Sequence, residues 1–250
     1  MSENEIVKHV ESAYKAVRNP QTHWLHKLKE VAIEIAIIVF AVSLSIWFHN
    51  WSDSLHEHKE EREYLLGLRN DVQANLASAR DDSVFYARTL YKLEYFQRVG
   101  SGQPLSPDSL LSYQSVFFSS VTLDPRVSRY EGLKGSGKLG IIENTDLLNN
   151  IINLHEVTIK HTEFLDNLYA EYSNRLGNFL QEHGTLGHDN LMILNAEELI
   201  RMSQMRLLIA YGVHAIPNNM LRYQDSCIVQ CRQVIRQIDS ELNLVDSNGH

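Results

Sequence analysis

The feature that most constrains this chain is an apolar stretch near its beginning. Residues Val31 to Phe48 read VAIEIAIIVFAVSLSIWF, with one charged residue, Glu34, and no glycine or proline. A stretch of this length can cross a bilayer as a helix, because a rise of about 1.5 Å per residue gives about 27 Å. Tryptophans flank it on both sides, as is common at membrane interfaces. The sequence therefore predicts a transmembrane helix over residues 29–50.

Two other interpretations of this stretch fit less well. A cleaved signal peptide needs a basic start directly before a shorter apolar core, and small residues at the cleavage site. Here about thirty mostly polar residues come first, and the stretch ends in bulky aromatic residues. A buried helix of a soluble protein would not need tryptophans at both ends. We therefore expect an uncleaved anchor.

The basic residues near the stretch predict its orientation. Before it stand five lysines and arginines, and in the twenty residues after it stand two: Lys8, Lys15, Arg18, Lys27 and Lys29 against Lys59 and Arg62. Cytoplasmic flanks carry the excess of such residues. We expect the N-terminus in the cytoplasm and the rest of the chain outside it.

Within the span, a few residues are candidates for contacts with another helix. Glu34 lies one turn from the cytoplasmic edge, where it can reach the interface or contact another subunit. The pairs Ala32/Ala36 and Ala41/Ser45 have the four-residue spacing that lets helices approach closely. The candidate contact residues are Glu34, Ala36, Ala41 and Ser45.

The remainder of the chain has helical patterning. From Trp51 to Val99 there is no proline and one glycine. His56–Glu63 is charged on every face and predicts a solvated stalk. Beyond it, apolar residues recur at steps of three and four and predict a packed seam: Leu65, Leu68, Val72, Leu76, Ala79, Ser83, Tyr86, Leu90, Leu93 and Gln97.

Capping signals divide the chain beyond Gly100 into further helices. We expect a short one after Ser106-Pro107, a long one from Asn144 or Thr145 to about Glu182, one opened by a capping box at Asn195, and one opened by Pro217. The predicted fold is all-α: a single transmembrane helix continuing into an antiparallel, mainly four-helix extracytoplasmic bundle. The expected domains are a cytoplasmic amphipathic segment (1–28), the span (29–50), the bundle (51–245) and a loose tail (246–250).

Composition narrows the function classes. The formal net charge is −8, which argues against nucleic acid as a partner, since phosphate binding needs a basic surface. Cys227 and Cys231 stand four apart in a helical pattern and fit small core residues. An oxidised or metal-bound cysteine pair is the alternative. No cofactor is indicated.

Gly132–Leu139 resembles a phosphate-binding loop in its first seven positions, but its eighth, Leu139, should be Ser or Thr. The preceding residues are helical and polar instead of a buried strand, so we expect a glycine-rich break between helices. His155 and His161 are six apart, not the four that a zinc-protease helix requires. Nucleotide and zinc-protease chemistry are therefore not predicted.

Just after the span, His49, Asp53, His56 and Glu57 fall on one helical face. Such a face can bind a metal ion or respond to pH, because histidine titrates near neutrality. The alternative is a solvated face at the membrane surface. No catalytic residue can be selected from the sequence.

Two blocks of sequence resemble an uncharacterised bacterial family of short single-span membrane proteins. The first is the apolar span with its exit His49-Asn50-Trp51, followed by Glu63-Tyr64-Leu65-Leu66 with Leu68 and Asp71; the second runs from Tyr130 to Ile142 in a Tyr-Glu-x-Leu-Lys-x-Ser-Gly-x-Leu pattern. The chain departs from the family at His49, Gly132 and Gly135. The resemblance implies a bacterial inner-membrane location and a single span, and no activity.

The sequence leaves three function classes open. The first is a non-enzymatic, membrane-anchored interaction or scaffold protein that self-associates or meets another membrane protein. The second is a single-pass sensor whose bundle binds a small ligand and signals through a partner. The third is a membrane-bound hydrolase.

Overall fold

The structure, a computed structural model, describes residues 20–119, 125–187 and 193–244. It divides into two units, Met1–Lys59 and Glu60–His250. Throughout the described ranges the regular structure is helical, with one isolated bridge between Leu186 and Ile193 and no strand. The expected all-α class is therefore confirmed. Residues 1–19 of the predicted cytoplasmic amphipathic segment and the tail at 246–250 lie outside the described residues.

The first unit contains the beginning of a long helix, α1, which spans Pro20–Gly100. Every residue from 31 to 50 is exposed, including all the large apolar ones. At the end of this stretch Trp47 stacks on Trp51 with ring centroids 6.1 Å apart, and Phe48 packs edge-on against Trp47 at 5.1 Å. Among the described helices, one is long and apolar enough to cross a membrane, and it is α1.

The second unit contains the rest of α1 and seven further α-helices in the described residues. These are α2 (Pro107–Tyr113), α3 (Ser128–Gly135), α4 (Thr145–Asn153), α5 (Lys160–His183), α6 (Ala196–Arg201), α7 (Ser203–Ala215) and α8 (Arg222–Glu241). Short 3-10 turns follow α2 at Gln114–Phe117 and α3 at Leu139–Ile141. Segments of π-helix join α4 to α5 (Leu154–Ile159) and α7 to α8 (Ile216–Leu221).

Several helix boundaries follow the capping residues. The helix α1 ends at Gly100, as the glycine-rich sequence there predicts. Ser106 accepts a hydrogen bond from the Ser109 amide at the start of α2. Asn144 accepts one from the Leu147 amide at 3.1 Å at the start of α4. These caps satisfy backbone donors that have no partner within the helix.

One predicted helix start is confirmed without its side-chain cap, and another is wrong. The helix α6 begins at Ala196, directly after Asn195, as predicted. Asn195 does not cap α6 with its side chain; the amide instead accepts from the Thr185 backbone N–H at 2.9 Å and donates to the His183 carbonyl at 2.9 Å. It thereby closes the loop between α5 and α6. Pro217 opens no helix, because the chain stays helical from α7 through to α8. A proline lacks an N–H and clashes with the carbonyl four residues earlier, and the wider π-helical turn around Pro217 accommodates both defects.

The interior of the second unit holds two apolar cores. Core A gathers residues from α1, α3, α4 and α8: Leu65, Leu68, Val72, Ala79, Tyr130, Ile142, Leu147, Ile151, Leu154, Ile159, Cys227, Cys231, Val234, Ile238 and Leu242. Core B lies around the later part of α1 with α5, α6 and α7, and includes Tyr86, Leu93, Phe96, Tyr169, Tyr172, Leu176, Met205 and Ile209. Cys227 and Cys231 are free and buried, as predicted for core residues.

Two glycines permit close approach in this interior. Gly67 lies beneath the Arg129 guanidinium, which reaches across α1 to Asp71 at 3.0 Å. Gly212 lies where α7 crosses α5 and α1. A Cβ there would overlap the Tyr172 hydroxyl and lie 2.7 Å from Leu93 Cδ1. Gly132 differs from both, because a Cβ at Gly132 meets no atom within 4 Å.

We predict that Gly212→Ala lowers the free energy of unfolding by about 1–3 kcal/mol, because the added methyl group overpacks core B. Gly132→Ala is the matched control. It should raise the same free energy by up to about 1 kcal/mol, since alanine favours an open helix position over glycine. Urea unfolding of the full-length protein in detergent, followed by circular dichroism, measures both. Equal effects of the two variants would contradict the packing at Gly212.

Candidate functional site: a buried polar layer

The predicted contact residues of the span are all exposed in the first unit. Glu34, Ala36, Ala41 and Ser45 have exposed side chains. The Ser45 hydroxyl donates to the Ala41 carbonyl at 2.9 Å. A hydroxyl bonded in this way to its own helix is satisfied without a second protein group. The proposed helix–helix contacts of these four residues stay predictions.

The predicted histidine face contains one pair. His49 Nε2 lies 3.3 Å from Asp53 Oδ2, one helical turn away. His56 and Glu57 are exposed on the same helix. In the part of the chain that the structure describes, no three His, Cys, Asp or Glu side chains come together in a way that could hold a metal ion. The His49–Asp53 pair is therefore an exposed ion pair when the histidine is protonated.

A row of polar residues is buried along α1 in the second unit. Between Glu61 and Phe96 the buried positions recur at alternating steps of four and three, with Tyr95 as the single addition among these positions. Every seventh position is Glu61, Leu68, Asn75, Asp82, Thr89 and Phe96. Four of these six are polar, and all are buried. The interior of the unit thus receives a polar side chain at regular intervals.

The predicted seam misplaced these positions by one residue. It ran through Leu76, Ser83, Leu90 and Gln97, whereas the buried positions are Asn75, Asp82, Thr89 and Phe96. Gln97 is exposed. The predicted stalk is also too long, because Glu61 is buried. A search that follows only apolar residues misses a heptad repeat in which one of the two buried positions carries polar residues.

Two members of the row hold neighbouring segments of backbone. Glu61 Oε1 accepts from the Glu143 backbone N–H at 3.0 Å, just before α4. Asn75 accepts from the Arg126 N–H at 2.7 Å and donates to the Arg126 carbonyl at 3.2 Å. Both therefore satisfy backbone groups next to helix starts, a structural role.

The third member, Asp82, lies in a polar layer between the two cores. We define this layer as Asp82, Asp166 and Gln224. Asp82 stands between Ala79 of core A and Tyr86 of core B on α1, and the other two stand at the corresponding change of core on α5 and α8. The helix α1, and the helices α5 and α8 taken with the π-helical segments before them, therefore pass from one apolar core to the other through a buried polar residue.

The layer is acidic. Asp166 accepts a hydrogen bond from the Tyr86 hydroxyl at 2.5 Å. Asp82 is 5% exposed, and its Oδ2 has no hydrogen-bond partner within the described residues. Burial, followed by the negative charges of Asp166 and Asp81, raises the pKa of Asp82 from 3.8 to about 6. The Asp82 carboxyl therefore takes up a proton within the mildly acidic range.

Gln224 and the cysteines complete the surroundings of the layer. The amide nitrogen and oxygen of Gln224 have no hydrogen-bond partner among the described residues. Such a buried group costs about 1–3 kcal/mol. The hydrogen bond with the neighbouring Cys227 thiol, followed by burial, raises the pKa of Cys231, so this thiol stays neutral. The layer thus contains buried polar atoms of Asp82 and Gln224 that have no hydrogen-bond partner among the described residues.

A second cluster joins the second block of the family resemblance to the first π-helical segment. The Tyr130 ring stacks on His155 with centroids 4.3 Å apart. Glu156 accepts from the Tyr130 hydroxyl at 2.9 Å and from Lys160 at 2.6 Å, and also from Lys134. These bonds lower the pKa of Glu156 to about 2, and burial lowers the pKa of His155 to about 4.

The motif lookalikes have other roles in the structure. The segment that resembles a phosphate-binding loop forms the end of α3 and a turn, and Lys138 pairs with Glu60 at 2.9 Å. His155 stacks on Tyr130, whereas the His161 ring packs against the Tyr223 ring with centroids 4.1 Å apart. The two histidines therefore belong to different surroundings.

No protein-family model, no curated protein and no solved structure matches this chain. The resemblance to a bacterial family stays a prediction. The structure adds that its two blocks pack together in core A, where Leu65 and Tyr130 are both buried and Asp71 pairs with Arg129.

We predict that Asp82→Asn raises the free energy of unfolding at pH 7 by up to about 3 kcal/mol, the equivalent of a two-unit change in pKa. The native pKa of Asp82 is above the unfolded value, so the native state binds the proton more tightly. The contribution of the Asp82 carboxyl to the free energy of unfolding is therefore fully present below about pH 4, and it is lost as the pH rises through about 6.

Urea unfolding of the full-length protein in detergent from pH 4 to pH 8 measures this effect. The difference between wild type and Asp82→Asn should vanish at the acidic end. Glu198→Gln, at an exposed position on α6 whose charge does not contribute to the raised pKa of Asp82, should follow the wild-type curve within a few tenths of a kcal/mol. A destabilised Asp82→Asn variant with an unchanged pH profile would refute the raised pKa.

Proposed function

We propose that this chain is a non-enzymatic, membrane-anchored interaction protein that self-associates. A helix at about residues 31–48 spans the bacterial inner membrane, with the N-terminus in the cytoplasm and the helical domain on the other side. The observation that carries this proposal is the helix from 31 to 50, which is apolar and exposed on every face. A helix that is hydrophobic all round needs a protein core or a lipid bilayer around it.

The ends of the helix support a bilayer as that environment. The Trp47, Phe48 and Trp51 rings cluster where the apolar stretch gives way to charged residues. Amphipathic aromatic rings are enriched at this depth of a membrane. The excess of lysine and arginine before the span supports the N-in orientation.

The second unit supports an interaction role over catalysis. Its titratable groups with shifted pKa values are buried, as in the polar layer, or engaged with one another, as Glu156 is with Lys134 and Lys160. A catalytic acid or base has to reach a substrate. Long helical stretches at 145–183 and 203–241 beside α1 fit an antiparallel helical bundle, a common scaffold for partner surfaces.

One observation favours the sensor as a second candidate function. A cleft of about 590 Å³ lies between the end of α1 and the start of α7, and its lining includes Arg98, Ser101, Gln103, Ser203 and Arg206. This volume is in the range of small-molecule sites. Two arginines with hydroxyl and amide groups suit a small carboxylate or phosphate.

We predict that the chain stays in the membrane fraction after alkaline carbonate washing and is released by detergent. Orientation is tested with single cysteines labelled by a membrane-impermeant maleimide in spheroplasts. Gln181→Cys, exposed on α5, should label in intact spheroplasts, and Ser12→Cys only after lysis. The native thiols are buried and should contribute little background.

Release of the chain by carbonate would contradict a membrane-spanning helix. The reverse labelling pattern would contradict the orientation and leave the span intact.

For the sensor, we predict that citrate or inorganic phosphate raises the melting temperature of the wild-type protein, because a ligand that binds only the native state stabilises it. Arg206→Ala should abolish the shift, and Arg201→Ala, an arginine outside this cleft, should retain it. No shift with either anion at millimolar concentration removes the small-anion sensor.

A further inference from the structure

A groove in the second unit lies between α5 and α7. It has a volume of about 320 Å³. Apolar side chains form most of its lining, with one acidic and one basic residue beside them: Leu168, Glu171, Tyr172, Arg175, Leu207 and Tyr211. None of these residues belongs to the polar layer or to the span.

The groove has a rigid floor. The Tyr172 hydroxyl donates to the Leu208 carbonyl at 3.0 Å, and the Tyr172 ring packs against Tyr211 with centroids 5.7 Å apart. Gly212 has no side chain and lets α7 lie directly on the Tyr172 hydroxyl. The shape of the groove is therefore set by buried packing before any partner arrives, which lowers the entropy cost of binding.

Large apolar side chains project beside this groove. Leu207 is 72% exposed and Tyr211, one turn further along α7, is 55% exposed. Leu168 lies across from them on α5 and is 37% exposed. Single exposed apolar residues need no explanation, but several that line one groove indicate a contact surface.

The charges in the groove are of both signs. Glu171 and Arg175 stand one turn apart on α5 and are exposed. Neither forms an ion pair within the described residues. Together they make the groove neutral, on a chain whose formal net charge is −8. The groove therefore adds no net charge to a contact in which two such grooves face each other.

We propose that this groove is the surface through which two copies of the chain associate. In the pair, Leu207 and Tyr211 of each copy enter the groove of the other, and Glu171 of each copy faces Arg175 of the other. A two-fold interface uses the same patch on both partners, so that patch has to be self-complementary. The patch around this groove carries both projecting side chains and a cleft, and it carries both an acidic and a basic residue.

The inference rests on the self-association in the proposed function. The groove is small, about 320 Å³, so we expect a weak or transient interface, the class that buries less than about 1,200 Å². Anchoring both copies in one membrane raises their effective concentration and offsets that weakness.

A charge swap tests the pairing. Glu171→Arg and Arg175→Glu each place like charges across the interface, and each should raise the dimer dissociation constant about tenfold. The double variant restores opposite charges and should return the constant to within about threefold of wild type. Sedimentation equilibrium of the full-length protein in density-matched detergent measures the constant, and circular dichroism checks the fold of each variant.

Cysteine cross-linking in native membranes locates the surface. Leu207→Cys should give a disulfide-linked dimer on mild oxidation. Val229→Cys, 58% exposed on α8 and outside the groove, is the matched control and should remain monomeric.

The outcomes separate the two proposals. A wild-type dimer that persists unchanged in both single charge variants, or that cross-links equally from Val229→Cys, overturns the groove and leaves self-association intact. A wild-type protein that is monomeric at every concentration and does not cross-link overturns both.

Discussion

The heptad spacing of buried positions along α1 is the constraint on which the second unit depends. A repeat of seven residues in two turns keeps one stripe of the helix facing the same neighbours over a long distance. From Glu61 to Phe96 every buried contact of α1 with the surrounding helices has to fit that stripe. Polar residues at one of its two positions therefore enter the interior whether or not a partner is available. The segments before α3 and α4 supply backbone groups to Asn75 and Glu61, whereas Asp82 Oδ2 has no hydrogen-bond partner within the described residues.

This constraint explains why the interior is divided. An apolar core stabilises the fold in proportion to the apolar area it buries. This stabilisation does not require polar residues between the two cores. Asp82, Asp166 and Gln224 nevertheless separate core A from core B. Buried polar residues are retained in some helical assemblies because they fix register at the expense of stability. The polar layer fits that role, since a shift of α1 by three or four residues would bring Ala79 or Tyr86 to the level of Asp166 in place of Asp82.

The two π-helical segments lie close to the same level. Leu154–Ile159 precedes Asp166 by about two turns, and Ile216–Leu221 ends just before Gln224. Each inserts a wide turn into an otherwise regular helix. The turn changes which side of the helix faces the interior in the residues that follow. One accommodates Pro217. The other places His155 against Tyr130 and Glu156 beside two lysines, so that the family-like block at Tyr130 is joined to α4 and α5.

The sequence by itself determined the apolar stretch at Val31–Phe48 and the all-helical class. It also determined the end of α1 at Gly100 and the starts of α2 and α4 after Ser106 and Asn144. These depend on composition, local periodicity and residues a few positions apart. Only the tertiary structure decided which side of α1 is buried. Asn75 and Leu76 both fit a helical step, and contacts from other parts of the chain, such as the Arg126 backbone that bonds Asn75, select between them. The tertiary structure also decided the polar layer and the groove, because their members come from helices far apart in the chain. No pattern among neighbouring residues of the sequence predicts that these residues come together in space.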